Sequence, residues 1–305
     1  MLRGMQGHGD SGDMRWVMGK FIKRFNDYSC IKEIDASKIR YLSHYTSSIN
    51  ALSNICQGEF RATDIKDFGD KCEGKLILQR ISNILFEENI FSKEQKEYVY
   101  TLIGDDEKIA EFISGCRTAV LSMCVNTNSE YLWNNYAKEN GYNIIFDKKM
   151  FTDDLCFYTI NGERRDKEYI KHASIIYDTN KQVEIIQKEI RDLMLQNADG
   201  FDINLKTYYI LRHLMFVGNF FKQESDLENQ YQNEQEYRFL INTAVLTDKK
   251  IAIGGKLPAY YCKNNRHYII LKFNPKSIKF IVCNSPKAKE DAVNIITDIP
   301  IELRT

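Results

Sequence analysis

Segments of helical and of strand periodicity alternate along this 305-residue chain without a regular strand–helix–strand rhythm. A parallel sheet needs that rhythm, so the pattern points to an α+β fold with a mixed, mainly antiparallel sheet. Strand-like runs are expected at 39–45, 59–63, 119–125, 142–146 and 169–177, and again at 237–244, 250–253, 260–262, 268–273 and 279–283. Helical periodicity marks 182–196 and 205–221, a short helix at 128–139 and a last one at 287–297. Residues 75–116 read as a helical insertion whose apolar stripe includes Leu76, Ile77, Ile81, Ile84 and Leu85. The first 14 residues, rich in glycine, read as a flexible leader, followed by a helix over 15–28. Four prolines mark no linker, so 15–305 is expected to form a single α+β domain.

Composition removes several classes of function. With 43% hydrophobic residues the chain can bury a core, and 42 basic against 42 acidic residues leave no global charge for steering. The eight cysteines show no CxxC pair and no histidine at zinc-ligand spacing, so they read as packing thiols and no metal site is expected from them. No apolar run reaches the length of a membrane helix, and the expectation is a soluble, cytoplasmic protein that engages no membrane. One local bias stands out: residues 249–289 hold ten Lys or Arg and no Asp or Glu, interleaved with Tyr260, Tyr261, His267, Tyr268, Phe273 and Phe280. Interleaved cations and rings suit a nucleic acid or another polyanion; alternating lysines also simply protect strand edges.

Three constellations carry possible chemistry. Near the start, His44, Tyr45 and Thr46 end a strand, and Ser47 or Ser48 can cap a helix running through Ile49, Leu52 and Ile55 to Gly58. The helix N-terminus beside His44 favours an anion, and Arg61 adds a guanidinium fork on the next strand. In the middle, Trp133 and Tyr136 lie three apart on an expected helix, hence on one face, ahead of a Gly141–Asp147 strand. Late in the chain Glu234, Glu236 and Arg238 alternate, which on a strand turns all three to one side. That trio is either an ion-paired structural strand or a charged catalytic patch. The acids of the 64–73 turn lack the spacing of a calcium loop.

Together, His44-Tyr45, Trp133-Asn134-Asn135-Tyr136, Gly141 to Asp147, Glu234-Gln235-Glu236-Tyr237-Arg238 and Ile278 to Pro286 resemble the bacterial domain-of-unknown-function family 2971 over 38–297. Where that family tends to a serine-rich strand, this chain has Leu121-Ser122-Met123-Cys124. The opening His44-Tyr45-Thr46 element, helix and Arg61 strand also resembles the first NAD-binding element of ADP-ribosyltransferases, including DNA-targeting toxins. That resemblance implies an ADP-ribosyltransferase-like core and an NAD-using enzyme of bacterial toxin or antiphage-defence type, acting on a nucleic-acid or protein acceptor. It implies His44 as ribose contact and Glu236, with Glu234, as the late catalytic glutamate. Tyr45, Thr46, Arg61, Arg238 and a stacking tyrosine (Tyr131, Tyr136 or Tyr142) would complete the NAD cleft. The rival readings are a non-catalytic nucleic-acid or nucleotide-binding module, and a metal-dependent nuclease built on Glu234, Glu236 and the 64–73 acids.

Overall fold

The computed structural model describes residues 38–67, 78, 80–81, 83–84, 91–105, 107–109, 112, 118–194, 203–223, 231–242 and 258–305. The expected leader, the 15–28 helix, the 250–253 strand and most of the 64–73 turn lie outside these residues, as does part of the 75–116 insertion.

The first unit follows its local signals. Strand β1 (Tyr41–Thr46) leads into helix α1 (Ile49–Cys56), whose N-terminus is capped by the Ser48 side chain accepting from Ala51 N–H. The helix stops before Gly58, which sits at φ +82°, where any Cβ would also run into the Phe273 carbonyl. Strand β2 (Glu59–Asp64) follows.

The sheet is organised around β3 (Thr118–Cys124). Along one edge β3 pairs its full length with β8 (Glu236–Asn242), from Thr118 opposite Asn242 to Cys124 opposite Glu236. Its other edge is shared. β1 takes the end at Cys124, opposite Ser43, and β2 takes the start, with Thr63 opposite Val120. From that split one arm runs through β4 (Tyr142–Asp147), β11 (Ile278–Cys283) and β12 (Ile301–Leu303). The other arm is β10 (Arg266–Lys272), flanked by β5 (Cys156–Tyr158) with β6 (Arg164–Arg165), and by β9 (Tyr261–Lys263). β7 (Ile170–Ser174) lies outside β8. Only the β11–β12 pair is parallel among the described ladders, so the sheet is mixed and mostly antiparallel, as the element order implies.

Opposed residues of antiparallel strands share a face, and this fixes two sides. On one side Leu42, Leu121, Ile144, Phe146, Tyr237 and Phe239 join a phenylalanine-rich core. On the other side Val120, Ala173 and Leu240 are covered by helices α2 (Lys93–Ile103), α4 (Thr179–Met194) and α5 (Ile203–Gly218), α3 being the intervening Lys148–Asp154. Burial on both sides explains why β3 reads as a nearly unbroken apolar run. Helix α3 and the β5–β6 pair carry no sequence periodicity of their own; Asp147, the last residue of β4, starts α3 by capping Met150 N–H. The C-terminal helix is α6 (Pro286–Val293). No helix among the described residues is long and apolar enough to cross a membrane.

The expected helix over 128–139 has a different form. One turn (Glu130–Leu132) passes into a five-residue π turn, Trp133–Ala137, closed by Lys138 N–H donating to the Trp133 carbonyl at 2.7 Å. A wider turn no longer stacks residues three apart. Trp133 is therefore buried while Tyr136 is 48% exposed, and the two do not share a face.

Candidate functional site

Glu236 and Arg238 leave β8 on the helix-covered side of the sheet, two residues apart, and both are buried. Arg238 Nε donates to Glu236 Oε1 at 2.6 Å and a terminal nitrogen to Oε2 at 3.2 Å, a bidentate fork; its other nitrogen donates to the Asn219 carbonyl at 2.8 Å. Lys222, just past α5, brings Nζ to 2.8 Å from Glu236 Oε2 and 2.5 Å from Glu234 Oε2. Both oxygens of Glu236 are thus held by cations. Burial alone would raise its pKa, yet Arg238 and Lys222 outweigh burial and hold the carboxyl at about 2. Burial likewise opposes the charge on Lys222, and Glu236 with Glu234 reverses that, so its ammonium is stabilised above the ordinary range.

Glu234 reaches this cluster by another route than strand alternation. It ends a 3₁₀ turn, Tyr231–Glu234, and Gln235 at φ +43° makes the corner into β8. The Gln235 carbonyl accepts from Val125 N–H at 2.9 Å, which pins the corner to the end of β3. Tyr136 then donates its hydroxyl to Glu234 Oε1 at 2.8 Å from the π turn. Burial, followed by the Glu234 charge, raises the Tyr136 phenol well above its usual value and keeps it protonated as a donor. Behind the cluster Glu236 N–H donates to the Tyr177 hydroxyl at 3.2 Å. Cys124, opposite Glu236, has its thiol pushed up to about 12, chiefly by burial, and is a packing group.

Two carboxylates and two cations compensate one another in this cluster. Its inner half, Glu236 with Arg238, is closed. Its outer half is the Glu234 carboxylate and the Lys222 ammonium beside the half-exposed Tyr136, whose hydroxyl bonds the carboxylate.

The register separates the remaining expected residues from this cluster. Ser43, not His44, shares the face of Cys124 and Glu236. His44 therefore turns to the opposite side, where its ring meets Phe60 edge-on at 5.0 Å and Nδ1 lies 3.4 Å from the Ser122 carbonyl. Burial lowers its pKa to about 4, so it stays neutral at physiological pH. The expected single cleft holding both His44 and Glu236 is not formed, because one residue of strand reverses the side. Thr46 accepts from Ser48 N–H at 3.2 Å within the α1 turn. Tyr45 does share the Glu236 side, but it is buried against Trp133 at 5.2 Å, and its hydroxyl bridges Ser129 N–H and the Asn126 carbonyl. Arg61 belongs to the β2 arm, which joins β3 at Val120, roughly 14 Å along the strand from Cys124 at about 3.4 Å per residue. Its guanidinium stacks on Tyr268 at 4.8 Å.

Of the competing tyrosines, Tyr142 is buried on the other side of the sheet and Tyr131 packs against the Trp133 cluster; Tyr136 alone of the three touches the glutamates. Among the described residues no group of three His, Cys, Asp or Glu could hold a metal ion. Asp64 lies at the Ala119 end of β3, apart from Glu236 at the Cys124 end, so this acid of the 64–73 turn is not brought to the two glutamates. Lys222 and Tyr177 went unrecognised in the sequence. The available signal was a charge argument: two buried glutamates beside one arginine call for a second cation.

No family of known proteins, no curated protein and no solved structure matches this chain.

The resemblances drawn from the sequence therefore rest on its motifs alone.

Proposed function

We propose that the chain is an NAD-consuming enzyme of the ADP-ribosyltransferase type, acting on a nucleic-acid or protein acceptor, with Glu234, Lys222 and Tyr136 as its working edge. One observation carries the reading: a half-exposed tyrosine ring stands over a Glu-x-Glu pair, its hydroxyl 2.8 Å from the outer carboxylate. The ring offers a face on which the nicotinamide of the substrate can stack. As the ribose–nicotinamide bond breaks, its electron pair goes to the pyridinium nitrogen and positive charge develops on the ribose carbon. A preorganised carboxylate stabilises that charge. The acceptor then bonds to the ribose carbon, and Glu234 takes the proton the acceptor loses. Glu236, with both oxygens held, acts as a positioning residue that fixes Lys222 and through it Glu234. His44 and Arg61 fit no contact at this edge, so the ribose-binding role the resemblance implies for His44 is not part of the proposal.

A second reading, a non-catalytic nucleotide or nucleic-acid module, is favoured by the closure of the Glu236–Arg238 fork, since a fully paired carboxylate needs no substrate. Nicotinamide release separates the two. The enzyme reading expects release by the wild type with cellular acceptors, a drop of about a hundredfold or more in Glu234→Gln, the size of loss typical of a removed transition-state contact, and a smaller loss in Tyr136→Phe. Absence of release under every acceptor condition, with normally folded protein, would leave the module.

A further inference from the structure

The second arm of the sheet presents a face that the site above does not use. β9 and β10 form a hairpin closed by Asn264 and Asn265, both at positive φ (52° and 61°), the geometry of a two-residue turn. Tyr261 lies opposite Tyr268, so both rings rise on one side, stacked at 5.7 Å between centroids and 23° between planes. Arg61, from the neighbouring β2, lays its guanidinium on Tyr268 at 4.8 Å. The next opposed pair of the hairpin, Lys263 with Arg266, stands on the same side. Arg61, Lys263 and Arg266 are exposed and Tyr261 is 45% exposed. Among the described residues, two nearby acids are engaged: Glu59 by Lys272 across the strands, and Asp67, which accepts from His267 N–H.

We infer that this Arg61–Tyr268–Tyr261 stack with Lys263 and Arg266 is a binding platform for single-stranded nucleic acid. Stacked rings with Tyr261 exposed at the outside give unpaired bases a surface to stack on, and cations beside them meet the phosphates. The charge is complementary, because the exposed charged side chains beside the rings, Arg61, Lys263 and Arg266, are all cations. A lysine edge that merely prevents strand pairing has no use for two stacked rings capped by an arginine. A duplex buries the base faces this stack would contact, so the occupant is an unpaired strand. The inference is independent of NAD turnover at Glu234.

Fluorescence anisotropy with labelled oligo(dT) and oligo(rU) of about 16 nucleotides, the upper site size of a single binding fold, tests it without NAD. The full-length protein should bind, preferring one or both single strands over a duplex of equal length. Tyr261→Ala should weaken binding about tenfold, the loss expected when a stacked base loses its ring. Lys263→Gln with Arg266→Gln should flatten the slope of log affinity against log salt by about 1.4, as two phosphate contacts imply. All of these side chains are exposed except Tyr268, so circular dichroism of the variants should match wild type. Equal affinity of wild type and Tyr261→Ala, tighter duplex binding, or no binding at roughly 100 µM protein, the weak end of non-specific affinity, would overturn the platform. Whether DNA or RNA is the natural strand is read from the two oligonucleotides.

Discussion

Glu236 shows how much a single buried carboxylate can decide. It is held by Arg238 through two bonds and by Lys222 through a third; Arg238 is itself buried and the Lys222 side chain is only 11% exposed. Glu236→Gln leaves both cations short of an anion, and breaking a buried pair in this way costs about 3–5 kcal/mol; urea denaturation should show a loss of that size. The same substitution at Glu234, also buried and bonded to Lys222 and Tyr136, should cost about 1.5–3 kcal/mol, the value of a lost hydrogen bond to a charged group. The depressed pKa has a pH signature. Glu236 titrates near 2 in the fold against an ordinary 4.5, so its contribution is complete above about 4.5 and is lost as pH falls towards 2. At about 1.4 kcal/mol per unit this amounts to roughly 3 kcal/mol. His44 acts in a higher window. Held neutral by burial with a pKa of about 4 against an ordinary 6.5, it contributes stability above 6.5 that is lost as pH falls to 4. His172, also lowered to about 4 chiefly by burial, adds to the same window. Stability measured against pH should therefore fall in two steps, and His44→Gln should remove about half of the upper step while leaving the lower one.

Among the elements, the β1–α1–β2 unit was legible because each of its signals is local: a strand-like run over 39–45, a serine cap at Ser48 and a glycine stop at Gly58. The element that carries Tyr136 was not. Its π turn follows from tertiary demands, since Trp133 is drawn in against Tyr45 and covered by Arg304 at 5.0 Å while Lys138 must reach φ 59° to leave the turn. Gly141 permits this: a Cβ there would overlap the Ala137 carbonyl and its neighbours. Because the obstacle is backbone, Gly141→Ala should destabilise the protein by about 1–3 kcal/mol, as overpacking of a tight site does, and should also displace Tyr136 from Glu234. Thermal denaturation reads the first effect. A change in Tyr136 fluorescence or titration relative to a Tyr136→Phe control reads the second.

At the scale of the molecule, the split of the sheet at β3 places the candidate chemistry. The mixed, mainly antiparallel character of the sheet could be inferred from the order of elements, whereas a tyrosine of the middle block beside the late glutamates was implied only by the ADP-ribosyltransferase resemblance. The side of the sheet could not. It depends on the pairing of Ser43 with Cys124 and Cys124 with Glu236, contacts between segments far apart in the chain. That register sends His44 to the phenylalanine-rich core and leaves Glu234, Lys222 and Tyr136 together. It also leaves the Tyr261–Tyr268 stack on a separate arm, so binding of a strand and turnover of a nucleotide are separable by mutation. The proposed enzyme has its working edge on the Glu234 side, away from His44. The most direct test is nicotinamide release from NAD by wild type, Glu234→Gln and His44→Gln proteins of matched fold. Release should be abolished in Glu234→Gln and retained in His44→Gln; release that survives the first substitution and is lost with the second would rule out a working edge at Glu234.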